Sequence, residues 1–166
     1  AGGQTFVAPM DVLDLGRMAI FADPSGAAFG VWQTGNFAGA GVTNEPGSLI
    51  WNELMTRDVP GSVDFYGKTL GLTGKASDVS DVPYTELQVG DSSVAGIMDI
   101  NRPEFPADLP PHWMVYFATA DCDATCAKVE EHGGSVSVPA TDIPIGRFAV
   151  VADQHGAFFS VIKMAG

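Results

Sequence analysis

The side chains able to do metal or thiol chemistry are few and scattered along this sequence. We expect His112 at the start of a strand, His132 at the end of a helix and His155 inside a turn. Such positions do not share a face, so the histidines do not predict a metal site. Cys122 and Cys126 lie four residues apart on a predicted helix, where the geometry disfavours a disulfide, and we expect two reduced thiols.

Glu53 is the carboxylate best placed for binding or catalysis. It lies in a predicted strand at residues 48–56, two residues from Trp51, and strand alternation puts both side chains on one face. A buried carboxylate can act as a general base or pair with a cationic ligand group. The alternative is structural, with Glu53 bonded to a backbone amide or to Arg57. Five side chains can line an apolar pocket or simply fill the core: Trp51, Met55, Trp113, Tyr116 and Phe159.

The elements around these residues include an internal duplication. Residues 16–32 return at residues 146–162, and nine of the seventeen positions are identical. Each copy has two apolar runs joined at Asp-x-x-Gly, where Asp can bond its own backbone and Gly can take a positive φ. Both copies are therefore predicted to be β-hairpins.

From residue 46 onward, the predicted order of elements is β-α-β-β-β, repeated once. The first helix begins at the cap Asp58 and ends at Gly71, and the second begins at the cap Asp121 and runs through Glu131. The predicted strands are 48–56, 74–77, 84–89, 93–100, 112–119, 135–138, 146–152 and 157–163. This order predicts an α+β fold in which paired β-α-β-β-β modules form a cupped, partly open barrel.

The start of the chain matches only the last three strands of such a module, at residues 5–8, 16–22 and 27–32. Either the chain is a piece of a longer tandem protein, or another chain completes this meander. We divide the sequence into a partial module with its linker (residues 1–45) and a two-module domain (residues 46–166). The open apolar face of the meander should pack on that domain or on a second copy, which predicts a homodimer.

The charge balance limits the possible partners. The 166 residues carry a formal net charge of −12, which repels phosphate backbones and anionic membrane surfaces. We therefore expect no nucleic-acid partner and no membrane partner. No apolar stretch is long enough to span a bilayer and no signal peptide is recognisable, so we expect a cytoplasmic protein.

The paired modules resemble the vicinal oxygen chelate superfamily, which includes glyoxalase I, extradiol dioxygenases and bleomycin-resistance proteins. The resemblance rests on three features: Asp-x-x-x-Ser-x-Asp-Phe-Tyr from Asp58 to Tyr66, Leu-Gly-Leu from Leu70 to Leu72, and the closing Asp-x-x-Gly hairpin at Asp153. The first hairpin, followed by Asn-Glu-Pro-Gly at residues 44–47 and Trp-Asn-Glu-Leu at residues 51–54, looks like a tandem-domain, glyoxalase-like branch of that group.

The resemblance also implies where metal ligands would lie. Metal-dependent members take ligands from the first, fourth, fifth and eighth strands. Here those positions fall at Trp51, near residues 96–98, at Met114 or Val115, and at Ser160. None is a His or a carboxylate, so we expect no metal ligand and no cofactor.

Two functions are compatible with this pattern. We favour a metal-free small-molecule binding protein of the bleomycin-resistance type, with Trp51, Glu53, Met55, Trp113, Tyr116, Phe159 and Ser160 as ligand-binding candidates. The alternative is a glyoxalase- or dioxygenase-like enzyme, a lyase, an isomerase or a hydroxylase, with Glu53 as the catalytic group. A third possibility is a structural half of a tandem protein.

Overall fold

The computed structural model describes residues 1–80 and 82–166, which form eleven strands and two helices. The elements are β1 (Gln4–Val12), β2 (Gly16–Ala22), β3 (Ala28–Thr34), β4 (Leu49–Thr56), α1 (Val59–Leu70), β5 (Thr73–Ala76), β6 (Tyr84–Val89), β7 (Ser92–Asp99), β8 (His112–Ala118), α2 (Cys122–Glu131), β9 (Ser135–Ile143), β10 (Gly146–Ala152) and β11 (Phe158–Met164). The predicted α+β class and the paired β-α-β-β-β order are confirmed. Neither helix in the described residues has the length and apolar character needed to cross a bilayer.

Two compact units make up the chain. Of the described residues, unit 1 comprises 1–41, 54–77 and 83–113, and unit 2 comprises 42–53, 78–80, 82 and 114–166. In unit 1, β1, β2 and β3 form an antiparallel sheet in that order, and β5, β6 and β7 are hydrogen-bonded neighbours. In unit 2, the order is β8-β11-β10-β9, with β11 parallel to β8.

Helix α1 organises the core of unit 1. The side chain of Asp58 accepts a hydrogen bond from the backbone N–H of Gly61, and Gly71 ends the helix in the left-handed conformation at φ 72°. Phe65 and Tyr66 face a buried cluster that includes Leu54 and Ala27. Because Ala27 belongs to the β2–β3 hairpin, the three-stranded sheet packs against α1, which is one of the two arrangements predicted for the meander.

Helix α2 covers one face of the sheet in unit 2. Asp121 caps it by accepting from the backbone N–H of Ala124. Cys122 is buried against Ala149, Val151 and Val161. Burial raises the pKa of the Cys122 thiol to about 11, and both cysteines are free, as predicted.

Two strands run further than the sequence predicted. We expected strands at residues 5–8 and 135–138, each ending before a proline, but β1 continues past Pro9 and β9 past Pro139. Both strands lie at the edge of their sheet, where a residue without an N–H is tolerated on the outward side. The pairing register of each strand also shifts along its length, as at a β-bulge. The other predicted strand bounds agree to within two residues.

Candidate functional site

A buried carboxylate and a phenol form the centre of the candidate site in unit 2. Glu53 is only 7% exposed, and its Oε1 accepts a hydrogen bond of 2.8 Å from the hydroxyl of Tyr116. Glu53 lies on β4 and Tyr116 on β8, so the two strands present these groups to each other. A carboxylate held this far from water costs several kcal/mol unless it is paired, and the phenol supplies one such partner.

Ser160 extends this polar cluster. In the parallel pairing of β8 and β11, Ser160 lies opposite Tyr116, so the two side chains share a face of the sheet. Its neighbours in sequence, Phe159 and Val161, pack in the cluster beneath α2, so Ser160 points to the opposite face. Its hydroxyl is completely buried and has no hydrogen-bond partner among the described residues. An unpaired buried hydroxyl is costly, which makes this one a candidate ligand contact.

The structure brings together some of the predicted site residues and separates others. Trp51 is two residues before Glu53 on β4 and therefore shares its face. Trp113 instead packs with the core of unit 1, where its Nε1 donates to the hydroxyl of Tyr66 at 3.0 Å. The ring of Phe159 contacts the ring of Phe117 edge-on beneath α2, with centroids 5.8 Å apart.

Strand alternation explains why the structure separates some of the predicted site residues. Trp113 is three residues from Tyr116, and Phe159 is adjacent to Ser160, so each pair points to opposite faces. Met55 lies in unit 1 and is buried. It is adjacent to Leu54 on β4, so it points away from the face on which Leu54 packs in the core around α1.

Arg57 is not the hydrogen-bond partner of Glu53, as the structural alternative for Glu53 had suggested. Its guanidinium donates hydrogen bonds to the backbone carbonyls of Ile100, Pro106 and Ala107, at 2.9 to 3.0 Å. Arg57 thereby fastens the proline-rich segment after β7. The hydrogen bond described above pairs Glu53 with Tyr116 instead.

The donor groups of the described residues do not suit a divalent metal ion. Within residues 1–80 and 82–166, no three His, Cys, Asp or Glu side chains come close enough to hold one. The strand register also places Tyr116, rather than Met114 or Val115, opposite Ser160. The cluster therefore offers one carboxylate, one phenol and one alcohol, whereas protein sites for transition metals use imidazole, thiolate or several carboxylates.

This arrangement can do two kinds of chemistry. A buried carboxylate can bind a hydrogen-bond donor or a cationic group of a ligand more strongly than an exposed one, because little water competes. The same carboxylate can remove a proton from a bound substrate, with hydroxyl groups nearby to stabilise developing charge.

Sequence reasoning included Tyr116 only as part of an apolar lining and did not predict its bond to Glu53. The pairing depends on the relative register of β4 and β8, which lie 63 positions apart at these two residues. Sequence reasoning also missed the buried bond between Tyr66 and Asp23, at 3.1 Å. The one available signal was that Asp23 recurs as Asp153, which by itself indicates only a turn residue.

Comparisons with known proteins agree with this fold. A family model, Glyoxalase/Bleomycin resistance protein/Dioxygenase superfamily, matches residues 48–161. The chain is 46% identical over 164 residues to the anthracycline biosynthesis protein DnrV of Streptomyces peucetius. The aligned residues cover 99% of this chain and 58% of DnrV. The chain thus spans about three fifths of the length of that relative.

Two solved structures are similar to almost the whole chain. One is the 2,3-dioxygenase LapB from Pseudomonas sp. KL28, with a TM-score of 0.63 and 15% identity, covering 99% of this chain and 64% of LapB. The other is the Mn(II)-bound glyoxalase from Novosphingobium aromaticivorans, with a TM-score of 0.62 and 15% identity, covering 98% of this chain and 55% of that one. At this level of identity, both comparisons concern the fold alone.

Proposed function

The chain belongs to the glyoxalase/bleomycin resistance protein/dioxygenase superfamily, and we propose that it binds a small organic molecule through Glu53, Tyr116 and Ser160 without a resident metal ion. The observation that carries this proposal is the buried pair of Glu53 and Tyr116. Apolar residues of similar volume would pack at such a position without the cost of burying an ionisable group. A ligand that uses the pair explains why that cost is tolerated.

The neighbouring side chains support a ligand with an apolar, planar body and a polar edge. Trp51 shares the face of Glu53 and offers an aromatic surface, and Ser160 offers a hydroxyl that has no partner in the described residues. The relative DnrV is named for anthracycline biosynthesis. We therefore propose a polycyclic aromatic ligand with hydroxyl or amino groups, and an anthracycline is the natural probe.

A direct experiment is a fluorescence titration of an anthracycline with the chain after treatment with a chelator. We expect saturable quenching at one ligand per chain, unchanged by added divalent ions. If binding appears only when a divalent ion is restored, the metal-free proposal is wrong. If the probe does not bind under either condition, the proposed ligand class is wrong.

The second candidate function is catalysis by proton transfer, and the same pair favours it. A carboxylate beside a phenol can remove a proton next to a carbonyl group, which is the kind of step that isomerases and lyases use. Chemical turnover of the probe distinguishes the two functions. A bound probe recovered chemically unchanged after long incubation supports binding, whereas a rearranged product that disappears in Glu53→Gln supports the enzyme.

We also propose that the chain forms a homodimer and that it is cytoplasmic. Support for the homodimer comes from the three-stranded sheet of unit 1, whose edge strand β1 is largely exposed. Exposed strand edges recruit further strands. Light scattering tests the homodimer: Phe6→Lys on β1 should give monomers, and an unchanged dimer would show that β1 is not the contact.

A further inference from the structure

The two copies of the duplicated hairpin have the same turn and the same strand pairing. In each copy the turn aspartate, Asp23 or Asp153, accepts hydrogen bonds from the backbone N–H groups two and four residues further on, at 2.8 to 3.0 Å. After the turn, Ala28 pairs with Ala22 in the first copy, and Phe158 pairs with Ala152 in the second. Positions 28 and 158 are therefore structurally equivalent.

The side chains at these equivalent positions differ in size. Ala28 is exposed, and Phe158 is also exposed, with 61% of its surface open to solvent. Because the first hairpin forms the same turn with alanine here, the fold does not require an aromatic ring at this position. A ring that is mostly exposed also buries little apolar area, so it contributes little to stability. Contact with a ligand accounts for the ring better than packing within the chain.

Phe158 lies on the face of the sheet that holds the candidate site. Ser160 is two residues further along β11, so the two side chains share a face, with Cα atoms about 6.6 Å apart. Phe159, between them, points to the opposite face and packs beneath α2. Phe158 thus adjoins the buried hydroxyl of Ser160, which has no hydrogen-bond partner among the described residues.

The polarity of this face changes from one strand to the next. In the order β4-β8-β11-β10, Glu53 and Tyr116 lie on the first two strands, and their hydrogen bond forms the polar end. On the last two strands, the side chains on this face are apolar apart from Ser160: Phe148, Val150, Ala152, Phe158 and Ile162. A ligand with a polar edge and an apolar body would therefore lie across the strands, with its body beside Phe158.

We propose that Phe158 is a specificity-determining residue of the ligand site. Its ring stacks on the planar body of the ligand while Glu53 and Ser160 bind the polar edge, so the site selects fused aromatic molecules over saturated ones of the same size. Aromatic rings in stacked or edge-on contact attract each other beyond the area that they bury. This inference rests on the proposed function and adds to it the residue that recognises the aromatic body.

Fluorescence titration with the anthracycline measures the contribution of the ring. Phe158→Ala should bind about tenfold more weakly, because both the stacking and the buried apolar area are lost, whereas Phe158→Tyr should bind like the wild type. Phe37→Ala is the matched control, since Phe37 is 49% exposed and lies in unit 1. A saturated tetracyclic steroid diol should displace the anthracycline more readily from Phe158→Ala than from the wild type.

An NMR titration of the methyl-labelled chain locates the bound probe. We expect ring-current shifts at the methyl groups of Val150, which pairs with Ser160, and none at Val151, which packs beneath α2. Urea unfolding should show equal stability for Phe158→Ala and the wild type.

Three results overturn the inference. The first is anthracycline binding that weakens in Glu53→Gln and is unchanged in Phe158→Ala, which leaves the proposed function intact. The second is a large loss of stability in Phe158→Ala, which would make the ring a structural element. The third is a wild-type chain that does not bind the anthracycline, which overturns the proposed ligand class and this inference with it.

Discussion

The hydroxyl of Tyr66 donates a hydrogen bond of 3.1 Å to Oδ2 of Asp23, across 43 positions of sequence. Asp23 lies in the turn between β2 and β3, and Tyr66 lies in α1, so this bond joins the three-stranded sheet to the first complete module. Trp113 donates to the same hydroxyl from Nε1 at 3.0 Å. Tyr66 therefore accepts a partly buried hydrogen bond and donates a buried one, and loss of its hydroxyl would leave two polar groups unpaired.

The duplication supplies a matched pair of variants for this contact. Asp23→Asn removes the acceptor for the Tyr66 hydroxyl and should lower the free energy of unfolding by about 1–3 kcal/mol. Asp153→Asn occupies the same turn with no tyrosine partner, so it should change stability little. Urea unfolding of both variants measures the difference. Equal losses would mean that the contribution of Asp23 comes from the turn alone.

Alkaline pH should weaken the same contact. Burial raises the pKa of Tyr66 well above its usual value of 10. The neutral phenol is thus favoured by folding, so its contribution is complete below pH 10 and is lost as the pH rises above 10. We expect the free energy of unfolding of Tyr66→Phe to fall less steeply than that of the wild type between pH 9.5 and pH 11.

The Cys122 thiol, whose pKa is raised to about 11, titrates in the same range in both proteins and cancels in that comparison. Identical slopes for wild type and Tyr66→Phe would show that the neutral phenol is not favoured by folding.

Ser160→Ala separates a ligand contact from a structural one. Because the hydroxyl has no partner in the described residues, its removal should leave the free energy of unfolding unchanged or slightly higher, while anthracycline binding weakens. Thr56→Val is the control, since the buried Thr56 hydroxyl accepts hydrogen bonds from Asp58 N and Ser62 Oγ. That variant should lose about 1 kcal/mol of stability. A comparable loss in Ser160→Ala would assign Ser160 to the core.

Metal loading tests the donor set. Protein exposed to nickel or zinc and then dialysed should retain no stoichiometric ion, because the described residues provide no group of three suitable ligands. Elemental analysis is the measurement. One tightly held ion per chain would contradict the metal-free proposal and favour the enzyme.

Local sequence signals predicted the elements well. Asp58, Gly71 and Asp121 cap the helices where expected, because capping depends on residues within a few positions of each other. The repeated Asp-x-x-Gly predicted both hairpins for the same reason. Pro9 and Pro139 led us to predict strands that were too short. A proline is tolerated where a strand lies at a sheet edge, and the sequence does not show which strands lie there.

The register between strands that are distant in sequence, such as β4 and β8, could not be predicted from the sequence. Alternation groups Trp51 with Glu53 on β4, but the partner of Glu53 depends on how β4 lies beside β8. The expected pocket also joined Trp113 to Tyr116 and Phe159 to Ser160, although each pair points to opposite faces of its strand. Counting odd and even positions along each strand would have separated these residues. The hydrogen bonds of Glu53 and Asp23, by contrast, could be seen only in the structure.

Replacement of Glu53 is the strictest test of whether the buried carboxylate binds the ligand. Glu53→Gln keeps the shape of the side chain and removes its charge, so it should cost about 1 kcal/mol of stability or less and weaken anthracycline binding about tenfold. Glu131→Gln, at an exposed position on α2, controls for the change in net charge and should bind like the wild type. Parallel fluorescence titrations and urea unfolding of the three proteins give the answer. A large loss of stability in Glu53→Gln with unchanged binding would show that Glu53 is a structural residue and does not bind the ligand.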